Sequence, residues 1–205
     1  MWWFAVACLT VVWQTPTQPA IPKNTQLRQE LLAMMKVDQD ARKKLVELMK
    51  KRNLENHDDT KLILNSEVLK ELNEIDARNL KRMKEIITAH GWPGKSLVGQ
   101  DGASAAWLLV QHCDQDRPFQ KKCLELLERI QEGEIEKRHL AYLTDRVLIG
   151  EKKKQIYGTQ LDNTGNPLPM EEADKVDERR KQMGMETLGE YVRRAKANYG
   201  IREKK

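Results

Sequence analysis

The segment Ala103–Gln111 presents apolar side chains on every side of a helix: Ala103, Ala105, Ala106, Trp107, Leu108, Leu109 and Val110. A helix with no polar face holds together only when other elements cover it all round. This short stretch therefore predicts a buried central helix with the rest of the chain laid against it. The rest of the chain supplies the cover. Leu27, Leu31, Met34, Met35, Leu45 and Met49 recur at helical spacing over 26–52. Val68, Leu72, Ile75, Met83 and Ile86 do so from Ser66, an N-cap residue, to His90, where Gly91-Trp92-Pro93-Gly94 ends the helix. Pro118 opens a fourth helix with Phe119, Cys123, Leu126, Leu127 and Ile130 inward. A fifth, over 136–149, turns Leu140, Leu143, Val147 and Leu148 inward.

Beyond residue 150 the pattern changes. Gln155–Leu161 and Asn166–Met170 flank Asp162-Asn163-Thr164-Gly165, a turn-rich tetrapeptide, which predicts a two-stranded hairpin. Two short amphipathic helices, over 171–183 and 186–198, follow around Gly184. The expected fold class is mostly α: one compact multi-helix domain over 21–205 around a buried central helix, with one short β-hairpin near the C-terminal third.

Met1–Ala20 contains no Asp, Glu, Lys or Arg, and Trp2–Trp13 is apolar apart from Thr10. The run is too short for a bilayer span, which takes about 20 apolar residues, and Pro16 and Pro19 follow it. It suits the apolar core of a secretory signal, so a secreted or periplasmic protein with no membrane span after processing is expected. Removing the signal takes Cys8 and leaves Cys113 and Cys123. Their ordinary role is as small buried hydrophobes, and a disulfide across the Pro118 turn is the alternative.

Lys+Arg 36 against Asp+Glu 31 leaves a net +5, spread along the chain with basic groups such as Lys152-Lys153-Lys154 beside acids. A nucleic-acid surface would gather that charge in a stripe with interleaved aromatics, so no nucleic-acid partner is expected. Gly94-Lys95-Ser96 imitates the end of a phosphate-binding loop, but Ala89 stands where the first glycine belongs, and a helix precedes it in place of a strand.

Polar residues on the apolar stripes are more informative. Asp38 and Arg42, one turn apart, fall inside the stripe of the first helix. Asn79 lies at the centre of the second stripe, with Asp76 at its edge and His90 in its last turn. Packing alone would select hydrocarbon there, because an unpaired buried charge costs several kcal/mol. A register-fixing salt bridge accounts for one pair, whereas five such positions on two helices point to a polar pocket between them. The central helix ends in Gln111-His112-Cys113-Asp114-Gln115-Asp116. The helix macrodipole is reason enough for an imidazole there. H-x-D-x-D would ligate a metal only if the chain unwound after His112, and no metal or cofactor is expected.

Taken together, these segments resemble a bacterial family of domains of unknown function. The resemblance rests on Asp38-Gln39 with Arg42, His90-Gly91-Trp92-Pro93, Gly99 with Asp101-Gly102-Ala103, and Ala106-Trp107-Leu108. It continues through Gln111-His112-Cys113-Asp114-Gln115-Asp116, Ala141-Tyr142-Leu143-Thr144-Asp145-Arg146-Val147, Gln155-Ile156-Tyr157-Gly158-Thr159-Gln160 and Val176-Asp177-Glu178-Arg179-Arg180. It covers nearly all of the chain after the apolar run and implies no activity, cofactor or partner. The family pattern has Ala at Cys113, which argues against a catalytic thiol.

Two functions follow as expectations. The first is an extracytoplasmic protein with a polar inter-helix pocket, performing small-ligand binding or acid/base hydrolysis. His90, His112 and Asp114 would be its proton-handling groups. Asp38, Arg42, Asp76, Asn79 and Trp92 would bind ligand, with Arg42 anchoring an anionic group, and Tyr142, Asp145, Gln155, Tyr157 and Gln160 would form the rim. Tyr142 and Asp145 lie off the apolar stripe of their helix and are equally expected as plain exposed residues. The alternative is an exported helical module that holds a protein partner without catalysis.

Overall fold

Asn24 starts the first helix by accepting the Leu27 amide on its side-chain Oδ1 at 2.9 Å, one of the donors a helix start leaves unpaired. The computed structural model describes residues 22–55 and 67–201, so the apolar N-terminal run and Ser66 lie outside the described residues. Among these there are seven α-helices: α1 (Thr25–Glu55), α2 (Glu67–His90), α3 (Lys95–Gln111), α4 (Arg117–Glu128), α5 (Lys137–Gly150), α6 (Val176–Gln182) and α7 (Leu188–Tyr199). A single 3-10 turn, Ala173–Lys175, precedes α6.

The central helix is α3, as its composition requires. Ala103, Ala105, Ala106, Leu109 and Val110 are buried, and they pack with Leu27 and Leu31 of α1, Met83, Ile86 and Ile87 of α2, Phe119, Cys123 and Leu127 of α4, and Leu143 and Val147 of α5. Each fully buried aliphatic side chain of this set contributes about 1.5–3 kcal/mol, the largest favourable contribution to the fold. The helix begins earlier than its apolar stretch because Gly99, at φ 75°, breaks the helical path and lets Lys95–Val98 form a separate first turn. A side chain at Gly99 would also press on the Pro22 ring at 3.1 Å. Arg28 and Asp101 tie α1 to α3 just beyond that kink, with Nε 2.8 Å from Oδ1. The start of α3 is taken by Glu134, whose carboxylate accepts the Ser96 amide at 2.9 Å, so Gly94-Lys95-Ser96 cradles a side chain of the protein.

The turn between α3 and α4 is set by Asp116, which accepts the Phe119 amide at 2.9 Å, with Pro118 in the first turn of α4. Gln120 then folds inward, fully buried, and its amide donates to the Val110 and Gln111 carbonyls and to Asp114.

The expected β-hairpin is not there: no strand occurs among the described residues. Two isolated bridges stand in its place, Gln155 with Met170 (parallel) and Leu161 with Pro167 (antiparallel). The turn itself forms as its residues dictate, Asp162 accepting the amides of Thr164 and Asn166. Four backbone hydrogen bonds join the two arms, from the amides of Gln155, Glu171, Leu168 and Asp162, and they do not extend into a ladder because the groups between them are taken. Asp145 takes the amides of Ile156, Tyr157 and Thr159, and Gln155 takes the Gln160 amide and the carbonyls of Gln160 and Leu168. Pro167 and Pro169 have no amide to donate. Gly158, at φ 70°, turns the chain out of the extended region. What the two runs around the turn form is a side-chain-organised loop.

Candidate functional site

Asp38 and Arg42 lie one turn apart on α1, Asp76 faces them from α2, and His112 is the residue that caps the C-terminus of α3. These four side chains, from three elements, converge. Asp38 is fully buried, and its Oδ1 lies 2.9 Å from His112 Nδ1. Its Oδ2 accepts from Gln39 Nε2 at 2.7 Å, and both oxygens lie 3.3 Å from Arg42 Nε. Arg42 Nη2 donates to Asp76 Oδ1 at 2.6 Å.

Arg42 Nε also lies 2.9 Å from His112 Nδ1, and one ring nitrogen cannot accept from Arg42 while donating to Asp38. Placing the proton on Nδ1 is the arrangement that pairs the buried charge, since the opposite tautomer would set a lone pair against a carboxylate at 2.9 Å. Arg42 Nε then serves the Asp38 oxygens. In this tautomer Nε2 carries the lone pair. It has no hydrogen-bond partner among the described residues, and the side chain is 15% exposed.

Burial works against the charge on Asp38, but the His112 hydrogen bond, with Arg42 and Gln39, more than offsets it and holds the carboxyl below its ordinary range. For Asp76 burial prevails over Arg42 and His112, and the nearby Asp38 charge adds to it, so that carboxyl is pushed up. With a neutral imidazole the cluster holds two carboxylates and one guanidinium, a net charge of −1. Arg42 already spans two carboxylates, so the expected anion anchor is instead a strut that holds Asp38 and Asp76 in place.

The chain unwinds after His112, with Cys113 buried in the core and Asp114 turned to a second polar centre. Asp114 pairs with Arg146 of α5, whose Nε is 2.9 Å from Oδ1, and with Arg117 at 2.9 Å. Burial disfavours the charge on Asp114, yet Arg146 and Arg117 together hold its carboxyl below the usual range. Two arginines against one aspartate leave this centre one positive charge in excess. Asp114 and Asp116, which caps α4, do not join His112 in a ligand set.

Arg146 Nη1 also donates to Gln160 Oε1 at 3.2 Å, and Gln160 Nε2 donates to Thr159 Oγ1 at 3.1 Å. Behind them Asp145 is fully buried and accepts three backbone amides and the Thr159 hydroxyl. Asp145 and Gln155 are therefore internal scaffolding of the 155–160 loop. Tyr157 contributes its backbone, and its hydroxyl is pushed up by burial and by the Asp145 charge. Tyr142 is wedged edge-on between Trp107 and Tyr191.

Three further candidates stand apart from the four-residue cluster. His90 is exposed at the end of α2, and Trp92 is buried in the main core. Asn79 lies on the other side of the α1–α2 seam, in a groove with Val37 and Ile75. Sequence reasoning missed Gln120 and Arg180, and the same stripe test would have found both. Gln120 stands in register with Cys123, Leu124 and Leu127, and Arg180 lies one turn after Val176.

Comparison with protein families matches residues 25–204 to a family described only as being of unknown function, DUF6624. No curated protein and no solved structure matches the chain.

Proposed function

The chain belongs to DUF6624, a family of unknown function, and from that premise we propose that it carries a small-ligand site working by acid/base chemistry, with His112 as the proton acceptor. The observation that carries this is the Asp38–His112 contact at 2.9 Å. A fully buried, otherwise saturated carboxylate fixes Nδ1–H and leaves Nε2 to take a proton from water or from a ligand. Asp38 is the orienting group; Arg42 and Asp76 are positioning residues. The net charge of the cluster selects against an anionic group at Nε2 and favours a neutral or cationic one. Hydrolysis of a neutral or cationic ester or amide, with His112 drawing the proton from the attacking water, fits that charge.

A protein-holding module without catalysis has less support. Among the described residues Val37 is the one exposed large hydrophobic, and interfaces of stable complexes bury far more apolar area at their centre.

The test is a screen of neutral and cationic p-nitrophenyl esters and p-nitroanilides, read as turnover and as thermal shift, on the native sequence and on His112→Gln and Asp38→Asn. Turnover should be lost in His112→Gln and fall about 10²–10⁴-fold in Asp38→Asn, whose amide no longer favours the imidazolium. Turnover or shifts equal in all three proteins would refute the proposal. So would ¹⁵N spectra showing the neutral His112 ring protonated on Nε2.

A further inference from the structure

We infer that the outer seam between α1 and α2 is a second binding site, separate from His112, for a small apolar monocarboxylate. Val37 precedes Asp38 and Ile75 precedes Asp76, and one residue turns a helix by about 100°. The seam thus presents different faces to the two sites: Asp38 and Asp76 turn inward to the end of α3, while Val37 and Ile75 line a groove of about 380 Å³ on the other side. That volume is within the range of small-molecule pockets, about 300–1,000 Å³. Its lining is largely hydrocarbon, from Ala33, Met34, Val37 and Ile75.

Two polar features define the ligand. Asn79 lines the groove only 9% exposed, yet its amide makes no hydrogen bond to a described residue and its Nδ2 is enclosed. A buried amide left unpaired costs on the order of 1–3 kcal/mol, whereas Leu at the centre of this apolar stripe would cost nothing. Rotation about its terminal bond presents either N–H or C=O to a ligand. At the rim, Arg82 is matched by Glu30 and Glu85, while Arg78 has no ion pair among the described residues. The groove therefore offers an apolar floor, one unused amide and one unmatched cation. An aliphatic body with a single carboxylate satisfies all three, the carboxylate accepting from Asn79 and facing Arg78.

The experiment is calorimetric titration of the full chain with octanoate, octylamine and octanol, with ¹⁵N–¹H spectra to place the contact. Octanoate should bind saturably and shift the amides around Val37 and Asn79. Octylamine and octanol should bind at least about tenfold more weakly, the worth of one charge-assisted contact. Asn79→Leu and Arg78→Gln should each weaken octanoate about tenfold, and His112→Gln should leave it unchanged. Neither Asn79 nor Arg78 makes a hydrogen bond that the fold depends on, so both variants are expected to melt no lower than the native chain. Absence of saturable octanoate binding, equal binding of octylamine or octanol, or native affinity in either groove variant would overturn the assignment. So would loss of octanoate binding in His112→Gln.

Discussion

His139 lies flat on Trp107, ring centroids 4.1 Å apart and planes 9° from parallel, and the Trp107 indole donates to the His139 carbonyl at 2.9 Å. Burial lowers its pKa from 6.5 to about 4, because a protonated ring beneath an indole has lost its water. The sign follows from proton uptake. Between about pH 6.5 and 4 the unfolded chain binds a proton at His139 that the folded chain refuses, so stability falls as the pH drops through that window and levels off below it. The full effect is roughly 3 kcal/mol. Urea melts from pH 7 to 4 should show this loss, and His139→Phe, which keeps the stack and removes the titration, should flatten it. An unaltered slope in that variant would assign the acid sensitivity elsewhere.

At the scale of elements, the 155–160 loop is held by α5 through Asp145. Asp145→Asn keeps the shape but exchanges one acceptor oxygen for a donor that faces N–H groups, so it should cost about 2–4 kcal/mol and speed hydrogen exchange at Ile156, Tyr157 and Thr159. Native exchange rates at those three amides would show that the loop stands without it. The same loop marks the limit of what the sequence discloses. Helices were legible because apolar residues three and four apart must share a face, and Asp38, Arg42 and Asp76 betrayed themselves by occupying such faces. Two runs flanking the turn at Asp162–Gly165 suggested a hairpin, but a strand also needs free backbone groups along its length, and the capture of three amides by Asp145 is a contact between separate segments. Asp145 also misled by position: it lies off the apolar stripe of α5, yet it is buried beneath the loop it organises. The pairing of His112 with α1 is likewise a tertiary fact, since nothing at the end of α3 specifies which neighbour the imidazole meets. His90, in the last turn of the same stripe as Asp76, passed the spacing test and still faces solvent.

At the scale of the whole molecule, the Met1–Ala20 run, free of Asp, Glu, Lys and Arg, leads us to propose that the protein is exported. Intact mass from the native host should show the loss of about 15–25 N-terminal residues, and a full-length cytosolic species would contradict it. Cys113 and Cys123 should remain unreactive toward thiol reagents in the native state. Both are buried and free, and burial pushes Cys123 up to about 12 and Cys113 higher still. One structural tie reaches across the C-terminal third. Arg180 is fully buried, donates to the carbonyls of Tyr157 and Glu186, and lies 5.0 Å over the Tyr191 ring. The guanidinium that closes the 155–160 loop and the ring beneath it both follow that loop in the chain, so the loop is fastened from two sides by segments far apart in sequence. A chain truncated before residue 180 would keep α1–α5 and the Asp145 carboxylate that gathers the loop amides, yet lack the guanidinium that closes the loop. Limited proteolysis of that truncated chain should cut first within 155–160.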